Sequence, residues 1–416
     1  MSTETVTISH MGSEGDGVVR GGAGPVFVPF TLPGETVAIA RVKNQGMPMS
    51  WVDTSAERVT PPCRHFGPDA ENGACGGCSL QHWADLPYQT WKRNLVVEAL
   101  RGKGIETEIR DLVACSPGER RRVAFTGRKT EKGVILGFSQ AASHHLIDLR
   151  ECPISVPAIV ARLPEIRQIA ASLATNADPF KVTVLHTLSG LDLAFGDIKK
   201  LDDARRQAMI DVVLPMKGIA RVSLNGEILI EPHKPMLDFS GVSVVVPPGA
   251  FVQATERAEN VMSDLAIAHV GKAKRVADLF SGCGTFALRL ARKSAVHAVE
   301  FEAPALAALD LAARKAQGLK PVSFERRDLF RRPMQPMDLK QVEAVVFDPP
   351  RAGAEAQAHE LARSKVARIA AISCNPVTLA RDLAILIEGG YKLKSVTPID
   401  QFLWSSHVEA VALLER

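Results

Sequence analysis

The chain has 416 residues, 46% of them hydrophobic and 23% charged, and its formal net charge is +4. This length predicts roughly two to three domains with an ordinary soluble core. The charge is too small to indicate a nucleic-acid partner by itself, and no apolar run approaches the roughly 20 residues that span a bilayer. The first residues lack the basic and apolar segments of a secretory signal, so we expect a cytoplasmic location.

The N-terminal region, residues 1–55, predicts a small β-domain. Residues 26–30 and 37–42 are rich in Val, Ile and Phe and predict strands, and the Leu-Pro-Gly-Glu sequence at 32–35 predicts a turn. Short strands joined by glycine turns are typical of small barrels, a shape often used to hold RNA. A purely structural barrel would give the same pattern.

The central region, residues 56–245, predicts an α+β domain. It begins with a cysteine-rich loop at 63–78, and a helix follows at about 84–104 that we expect to pack on the next domain. Beyond it, short β-like runs such as 122–125 and 134–138 alternate with a helical segment near 156–175.

From residue 246 to residue 416 the pattern changes to alternating strands and helices. Strands are predicted at 275–280, 296–300, 344–347 and 368–373, and helices at 285–293 and 303–316. Such alternation predicts a doubly wound, mostly parallel sheet, so the fold class of this region is α/β.

A candidate cofactor site follows from the ends of these strands, because ligands of open α/β sheets bind beyond the carboxyl ends. Gly282 and Gly284 would let the turn after the first strand approach a ligand closely. The spacing does not match the dinucleotide fingerprint Gly-x-Gly-x-x-Gly. Glu300 could accept hydrogen bonds from ribose hydroxyls, and Asp328 could face an adenine edge. The set favours S-adenosylmethionine.

Cys374 is the candidate nucleophile. It ends a predicted buried strand and precedes a turn-forming Asn-Pro pair, and Glu409 follows 35 residues later as a candidate proton acceptor. A thiol, a carboxylate and a cofactor turn together indicate covalent chemistry on an electrophilic ring.

With these motifs the chain resembles the bacterial RNA (uracil-5-)-methyltransferase family, most closely its 23S ribosomal RNA branch. The resemblance spans nearly the whole chain and rests on an ordered set of motifs: Phe251-Val252-Gln253, Asp278-Leu279-Phe280-Ser281-Gly282, Val299-Glu300, Asp348-Pro349-Pro350-Arg351-Ala352-Gly353, Ser373-Cys374-Asn375-Pro376 and His407-Val408-Glu409. The set is specific, although each motif alone is not.

The resemblance implies a Rossmann-like class I methyltransferase domain, an RNA-binding TRAM barrel before it and an iron–sulfur domain between them. It implies that Cys374 adds to carbon 6 of uracil, that carbon 5 takes a methyl group, and that Glu409 then removes the carbon 5 proton. Thr285 stands where the family often has asparagine. The implied cofactor contacts are Gln253, Phe280, Gly282, Thr285, Glu300, Asp328 and Asp348.

Four of the seven cysteines form a separate set, Cys63, Cys75, Cys78 and Cys152. An odd count in a cytoplasmic-looking chain argues against a disulfide framework. The spacing Cys-x11-Cys-x2-Cys with a distant Cys-Pro fits a [4Fe–4S] cluster and structural zinc about equally, and buried thiols are a third reading. The resemblance favours the cluster. The first gap is longer than the family pattern leads us to expect.

Other functions stay open at this point. The Asp348-Pro349-Pro350-Arg351 sequence is similar to the Asn/Asp-Pro-Pro-Tyr loop of amine methyltransferases, which need no covalent catalysis. A transfer RNA uracil-5-methyltransferase and a non-catalytic RNA-binding iron–sulfur protein are the remaining alternatives. The basic clusters 120–122, 326–327 and 331–332 could follow RNA phosphates or be solvated surface. We expect a monomer that acts on RNA, with 23S ribosomal RNA as its substrate and no membrane partner.

Overall fold

A computed structural model of the protein describes residues 2–20, 24–141 and 143–416. Within these residues, three large sheets follow one another along the chain. Buried hydrophobic side chains form separate clusters in the three regions, and the C-terminal sheet carries one cluster on each face.

The N-terminal sheet is built from short strands that alternate buried and exposed residues. Its small core contains Ile8, Val26, Val28, Val37 and Ile39. This alternation produces a sheet with one packed face and one exposed face. The strands are β1 (Ser2–Thr7), β2 (His10–Met11), β3 (Gly17–Val19), β4 (Val26–Val28), β5 (Thr36–Val42) and β6 (Gln45–Asp53), in the spatial order β1-β5-β6-β4-β3-β2.

The central region combines a mixed sheet with helices. Its helices are α1 (Asp85–Arg101), α2 (Pro157–Val160), α3 (Leu163–Leu173) and α4 (Asp203–Val213). Its strands are β7 (Arg122–Thr130), β8 (Gly133–Ser139), β9 (Leu146–Asp148), β10 (Phe180–Thr187), β11 (Gly190–Gly196), β12 (Ile219–Leu224) and β13 (Glu227–Ile230), in the order β13-β12-β11-β10-β7-β8-β9. Apolar side chains of α3 and α4 share one core with this sheet. A small antiparallel pair follows, β14 (Met236–Asp238) and β15 (Ser243–Val245).

The C-terminal sheet contains β16 (Arg275–Leu279), β17 (Ala295–Glu300), β18 (Val322–Arg326), β19 (Ala344–Phe347), β20 (Arg368–Ser373), β21 (Lys392–Ile399) and β22 (Glu409–Glu415). Their order is β18-β17-β16-β19-β20-β22-β21. The strands from β16 to β20 pair in parallel, and β22 runs antiparallel to both of its neighbours. This arrangement agrees with the predicted α/β class and its mostly parallel sheet.

Helices cover both faces of this sheet. They are α5 (Glu256–Val270), α6 (Ala287–Leu290), α7 (Ala303–Lys315), α8 (Glu355–Arg363) and α9 (Pro376–Glu388). Successive residues of β16 point to opposite faces, so Val276 joins the core beneath α5 and α7 while Ala277 joins the core beneath α8 and α9. Burial on both faces explains why β19 is apolar throughout and why β20 is apolar from Ile369 to Ile372.

Helix α1 belongs to the central region by sequence but packs on the C-terminal domain. Val96 and Leu100 are buried in the same core as Leu379 and Leu383 of α9. The chain then continues along β21, where the amide of Arg110 donates to the carbonyl of Val396. The helix predicted at about 84–104 is therefore present at 85–101 and packs on the domain expected.

None of the helices in the described residues is both long enough and apolar enough to cross a membrane.

Candidate functional site

The candidate site lies where the parallel strands of the C-terminal sheet end. Phe280, Asp348 and Cys374 each follow a parallel strand directly, and Glu300 is the last residue of β17. Because β22 is antiparallel, its first residue, Glu409, lies at the same edge. The structure therefore brings the predicted catalytic pair and the predicted cofactor residues to one edge.

The turn after β16 has the tight backbone that its glycines predict. Gly282 and Gly284 have φ angles of 52° and 96°, and Phe280 adopts φ 61°, which is uncommon for a residue with a side chain. A Cβ atom at Gly284 would lie 2.3 Å from a methyl carbon of Leu309. Thr285 is half-buried in this turn, just before α6.

Glu300 is fixed to this turn and to its own loop. One carboxylate oxygen accepts from the amide of Gly282 at 2.9 Å, and the other accepts from the amides of Phe301 and Glu302 at 2.7 and 2.8 Å. A carboxylate offers about four acceptor positions, so at least one is left for a ligand. Asp328 is held similarly by the amide of Phe330 at 3.0 Å. Both are therefore placed by the backbone before any ligand arrives.

Asp278 is a site residue that sequence analysis missed. It is completely buried in β16, where its carboxyl group makes no well-formed hydrogen bond with the described residues and has only a weak contact with the Ala287 amide. Burial raises its pKa well above the ordinary value, and the nearby Asp348 and Glu300 carboxylates add to this. A buried polar group without a well-formed hydrogen bond is rare and requires an explanation. A bound cationic or hydrogen-bond-donating ligand would supply one.

A hydrogen bond between Gln253 and Asp348 joins the segment before α5 to the end of β19. The side-chain amide of Gln253 donates to Asp348 at 2.7 Å. Burial raises the pKa of Asp348 to about 7. Gln253 is placed here because the segment before α5 pairs with the central domain, where the Arg121 amide donates to the Ala254 carbonyl.

Glu409 is buried beside this pair and has its own amide partner. The side-chain amide of Gln401 donates to the carboxylate of Glu409 at 3.0 Å and to the side-chain oxygen of Gln253 at 2.8 Å. Burial raises the pKa of Glu409 well above its usual range, and the Asp348 carboxylate contributes in the same direction. A carboxylate with a raised pKa is a stronger proton acceptor once it is ionised.

Cys374 lies between the strand β20 and the helix α9. The side chain of Asn375 caps α9 by accepting from the Val377 amide at 3.1 Å, which fixes the backbone around the thiol. Burial raises the pKa of Cys374 to about 11, and the carboxylates of Glu409 and Asp348 also raise it. The thiol is half-buried and therefore partly accessible from the edge of the sheet.

Two arginines of the predicted basic cluster at 120–122 have different surroundings. Arg121 is buried and paired with Glu259, which also holds Arg289, so it is a structural residue and not a phosphate contact. Arg122 lies over the ring of Phe251 at 5.5 Å. Phe251 is 69% exposed and precedes Gln253 by two positions, so this pair borders the site.

The four cysteines of the second predicted site line one small cavity. Its apolar wall includes Phe66, Phe138 and Leu149, and the cysteines are Cys63, Cys75, Cys78 and Cys152. Burial raises the pKa of Cys75 to about 11 and that of Cys78 to about 12.

The glycine knuckle between Cys75 and Cys78 follows the surface of the central sheet. A Cβ atom at Gly76 would lie 2.5 Å from the Ser139 carbonyl oxygen, so only glycine allows this close approach. The Gly77 amide donates to the sulfur of Cys75 at 3.4 Å. The described residues contain no group of three or more His, Cys, Asp or Glu side chains arranged to hold a metal ion. The four thiols therefore share one cavity without being arranged as metal ligands in the described residues.

The other two cysteines lie elsewhere and are buried. Cys115 is 3.5 Å from the hydroxyl of Thr255, and Cys283 lies in the glycine turn. The Cys283 thiol is 2% exposed, so unlike Cys374 it is not accessible to a substrate.

Comparisons with known proteins match the C-terminal region in one case and the whole chain in others. The family model described as tRNA (Uracil-5-)-methyltransferase matches residues 243–416. An uncharacterized RNA methyltransferase of Agrobacterium fabrum (strain C58) is 62% identical over 416 residues, covering 100% of both chains. The 23S rRNA (uracil(1939)-C(5))-methyltransferase RlmD of Pectobacterium atrosepticum is 29% identical, covering 98% of this chain and 93% of that protein.

A solved structure has the same architecture over the whole length. The Pyrococcus abyssi tRNA (uracil-54, C5)-methyltransferase in complex with S-adenosyl-L-homocysteine superimposes with a TM-score of 0.76 at 23% identity, covering 99% of each chain. The fold is that of a class I methyltransferase. The chain belongs to the RNA (uracil-5-)-methyltransferase family, as its motifs predict, and it is an RNA methyltransferase.

Proposed function

We propose that the protein forms 5-methyluridine in RNA and that its target lies in 23S ribosomal RNA. The observation that carries this proposal is the meeting of Cys374, Asp348 and Glu409 at the sheet edge beside the glycine turn. The full-length similarity to a 23S rRNA methyltransferase at 29% identity supports ribosomal RNA as the substrate.

S-adenosylmethionine is the methyl donor that the site fits. When bound, it would supply an electrophilic methyl group on a positively charged sulfur. Asp278 is a further candidate contact, because its carboxyl group makes no well-formed hydrogen bond among the described residues and lies just before the glycine turn. Glu300 would accept hydrogen bonds from ribose hydroxyls and Asp328 would face the adenine. The other proposed contacts are Gln253, Phe280, Gly282, Thr285 and Asp348.

The first chemical task belongs to Cys374. Carbon 5 of uracil is a weak nucleophile, so the Cys374 thiolate adds to carbon 6 and forms a carbon–sulfur bond. The electron pair of the double bond moves toward carbon 5 and the carbon 4 oxygen. Carbon 5 would then form a bond to the methyl group while the bond between that methyl group and the donor sulfur breaks, and S-adenosylhomocysteine would leave. The raised pKa of the thiol means that the free protein holds it mostly protonated, so substrate binding has to favour the thiolate.

The second task belongs to Glu409. After methylation carbon 5 still carries its original proton, and the Glu409 carboxylate removes it. The electron pair of that C–H bond restores the double bond between carbons 5 and 6, and the bond from carbon 6 to Cys374 breaks. Asp348 and Gln253 remain as binding groups for the base or the cofactor.

The domain assignment supports delivery of RNA to this edge. We assign residues 1–55 to a TRAM-like RNA-binding barrel, 56–245 to an iron–sulfur domain and 246–416 to the methyltransferase domain. A uridine within folded RNA has to leave its stack to reach Cys374, which costs a few kcal/mol. The exposed Phe251 and its neighbour Arg122 are positioned to offset part of that cost by stacking and charge.

A [4Fe–4S] cluster is the proposed occupant of the four-cysteine cavity. What supports this proposal is that the four thiols line one cavity and that their spacing resembles the family's cluster-binding set. Structural zinc fits the same spacing and is the alternative occupant. Methyl transfer is redox-neutral, so Cys63, Cys75, Cys78 and Cys152 would serve structure or RNA positioning.

The decisive experiment is a trapping reaction with Cys374→Ala and a matched Cys115→Ala control. With RNA containing 5-fluorouridine and S-adenosylmethionine, the wild-type protein and the control should form a stable covalent adduct, since fluorine blocks the final elimination. The Cys374→Ala variant should form none and should lose turnover on ordinary RNA. An active Cys374→Ala protein would instead support an amine methyltransferase.

The RNA target needs a separate measurement. Ribosomal and transfer RNA from a deletion strain should be compared with the parent strain for 5-methyluridine. Loss of the modification in 23S RNA alone is the expected result, and loss in transfer RNA would support the transfer RNA alternative.

A further inference from the structure

We propose that Gln401 is a positioning residue that holds the carboxylate of Glu409 in line for the carbon 5 proton. The inference rests on the proposed function, because it concerns the last step of that reaction. Gln401 lies two residues after the last residue of β21, and 3% of its surface is exposed.

The amide of Gln401 has a single possible orientation. Its nitrogen donates to Glu409 at 3.0 Å and to the side-chain oxygen of Gln253 at 2.8 Å. Its oxygen accepts from the backbone amide of Ala254 at 3.0 Å. A backbone N–H can only donate, so rotating the amide by half a turn would place a donor against a donor. The N–H group directed at Glu409 is therefore fixed.

Glu409 depends on this contact. It is 2% exposed, and within the described residues Gln401 is the group that donates a hydrogen bond to its side chain. A buried carboxylate without a donor would be strongly disfavoured in its charged form. The hydrogen bond from Gln401 opposes the effect of burial on the pKa of Glu409.

The side chains of Gln253 and Gln401 lie between the carboxyl groups of Asp348 and Glu409 and link them by hydrogen bonds. Gln253 donates to Asp348 at 2.7 Å, Gln401 donates to Gln253, and Gln401 also donates to Glu409. The order is therefore carboxylate, amide, amide, carboxylate. This chain of hydrogen bonds places two amide groups between the two carboxyl groups.

The loop that carries Gln401 is anchored by side chains of helix α1. Asp400 is paired with the buried Lys92, and the Lys92 ammonium also donates to the Phe402 carbonyl at 2.7 Å. The backbone amide of Trp404 donates to the hydroxyl of Tyr88 at 2.8 Å. Gln401 thus sits on a backbone fixed on both sides, which is what accurate placement of a proton acceptor requires.

The test uses Gln401→Leu, which keeps the approximate size and removes both polar atoms. Addition of Cys374 and methyl transfer should still occur, but removal of the carbon 5 proton should slow. We expect turnover on ordinary RNA to fall about 10- to 100-fold, and acid quenching to reveal a methylated RNA–protein adduct that the wild type does not accumulate. The acidic limb of the pH profile of kcat should move to higher pH, because the ionised form of Glu409 has lost its donor.

Gln401→Met serves as the second variant, because its flexible side chain fills the same space and guards against a folding defect. Both variants are checked by thermal unfolding. If the adduct level and the pH profile match those of the wild type in a folded variant, the inference is wrong. Trapping with 5-fluorouridine RNA in the wild-type protein tests the proposed function separately, since that reaction needs Cys374 and does not need proton removal.

Discussion

Lys92 and Asp400 form an ion pair in which both side chains are completely buried. Lys92 lies on α1, far from Asp400 in sequence, and Asp400 directly precedes Gln401. Tyr88 completes the contact by donating to Asp400 at 2.7 Å. This cluster ties a helix of the central region to the loop between β21 and β22, so the active-site edge depends on residues outside the methyltransferase domain.

Removing one partner of the Lys92–Asp400 ion pair should lower the stability of the folded protein. We expect Lys92→Met to lower the free energy of unfolding by about 3–5 kcal/mol, because Asp400 would be left buried without its counter-charge. Urea unfolding measures the change. The matched control is Lys181→Met, which breaks an exposed pair with Asp197 and should cost about 1 kcal/mol or less. Equal losses for the two variants would contradict the role assigned to Lys92.

The reactivity of Cys374 should follow its raised pKa. Between about pH 7 and pH 9 the rate of alkylation at Cys374 in the free protein should rise about tenfold per unit, since only the thiolate reacts and the pKa is about 11. Peptide-level mass spectrometry follows the modification. Free cysteine, with a pKa of about 8.5, should level off in the same range. Glu409→Gln should raise the rate at a given pH, and a plateau near pH 8 in the wild type would count against this environment.

Asp278→Asn should stabilise the ligand-free protein and weaken cofactor binding. The pKa of Asp278 is raised in the folded state, so folding is opposed once the pH exceeds the unfolded value of about 3.9. The variant and the wild type should therefore melt alike at low pH and diverge as the pH rises. Affinity for S-adenosylmethionine should fall about 10- to 100-fold, the loss expected for a charge-assisted hydrogen bond.

Asp264→Asn is the control for Asp278, because Asp264 is exposed on α5. It should leave both the melting curve and the calorimetric affinity unchanged. Unchanged affinity in Asp278→Asn would remove Asp278 from the cofactor site.

Anaerobically purified protein should contain about four iron atoms per chain with equal inorganic sulfide. Cys75→Ser should lower the iron content sharply because it removes one of four cavity-lining thiols, whereas the buried Cys115→Ser should not. Metal analysis gives both numbers. One zinc and no iron in the wild type would identify the alternative occupant.

The sequence predicts the C-terminal sheet and the ends of its strands because both depend on local patterns. Apolar runs predict β19 and β20, and strand ends in a parallel sheet meet by geometry, so Glu300 and Cys374 could be placed at one edge. The cysteine set could also be predicted, because its spacing is visible along the chain.

Contacts between distant segments could not be predicted in this way. Gln401 is unremarkable in sequence, and its role appears only when β21, β22 and the segment before α5 come together. From the sequence alone Arg121 could be a surface charge, because its ion-pair partner Glu259 lies far away along the chain. Asp278 stands in a recognised motif, but its lack of well-formed hydrogen bonds is a property of the packed interior.

Helix α1 limits how the chain can be cut into fragments that fold on their own. The region recognised by the family model begins at residue 243, but Val96 and Leu100 fill the core beneath α8 and α9. A fragment starting at residue 243 would expose that apolar surface and should aggregate. An exchange of the N-terminal or central region between relatives would therefore have to leave this helix with the C-terminal sheet, so that folding unit is discontinuous in sequence.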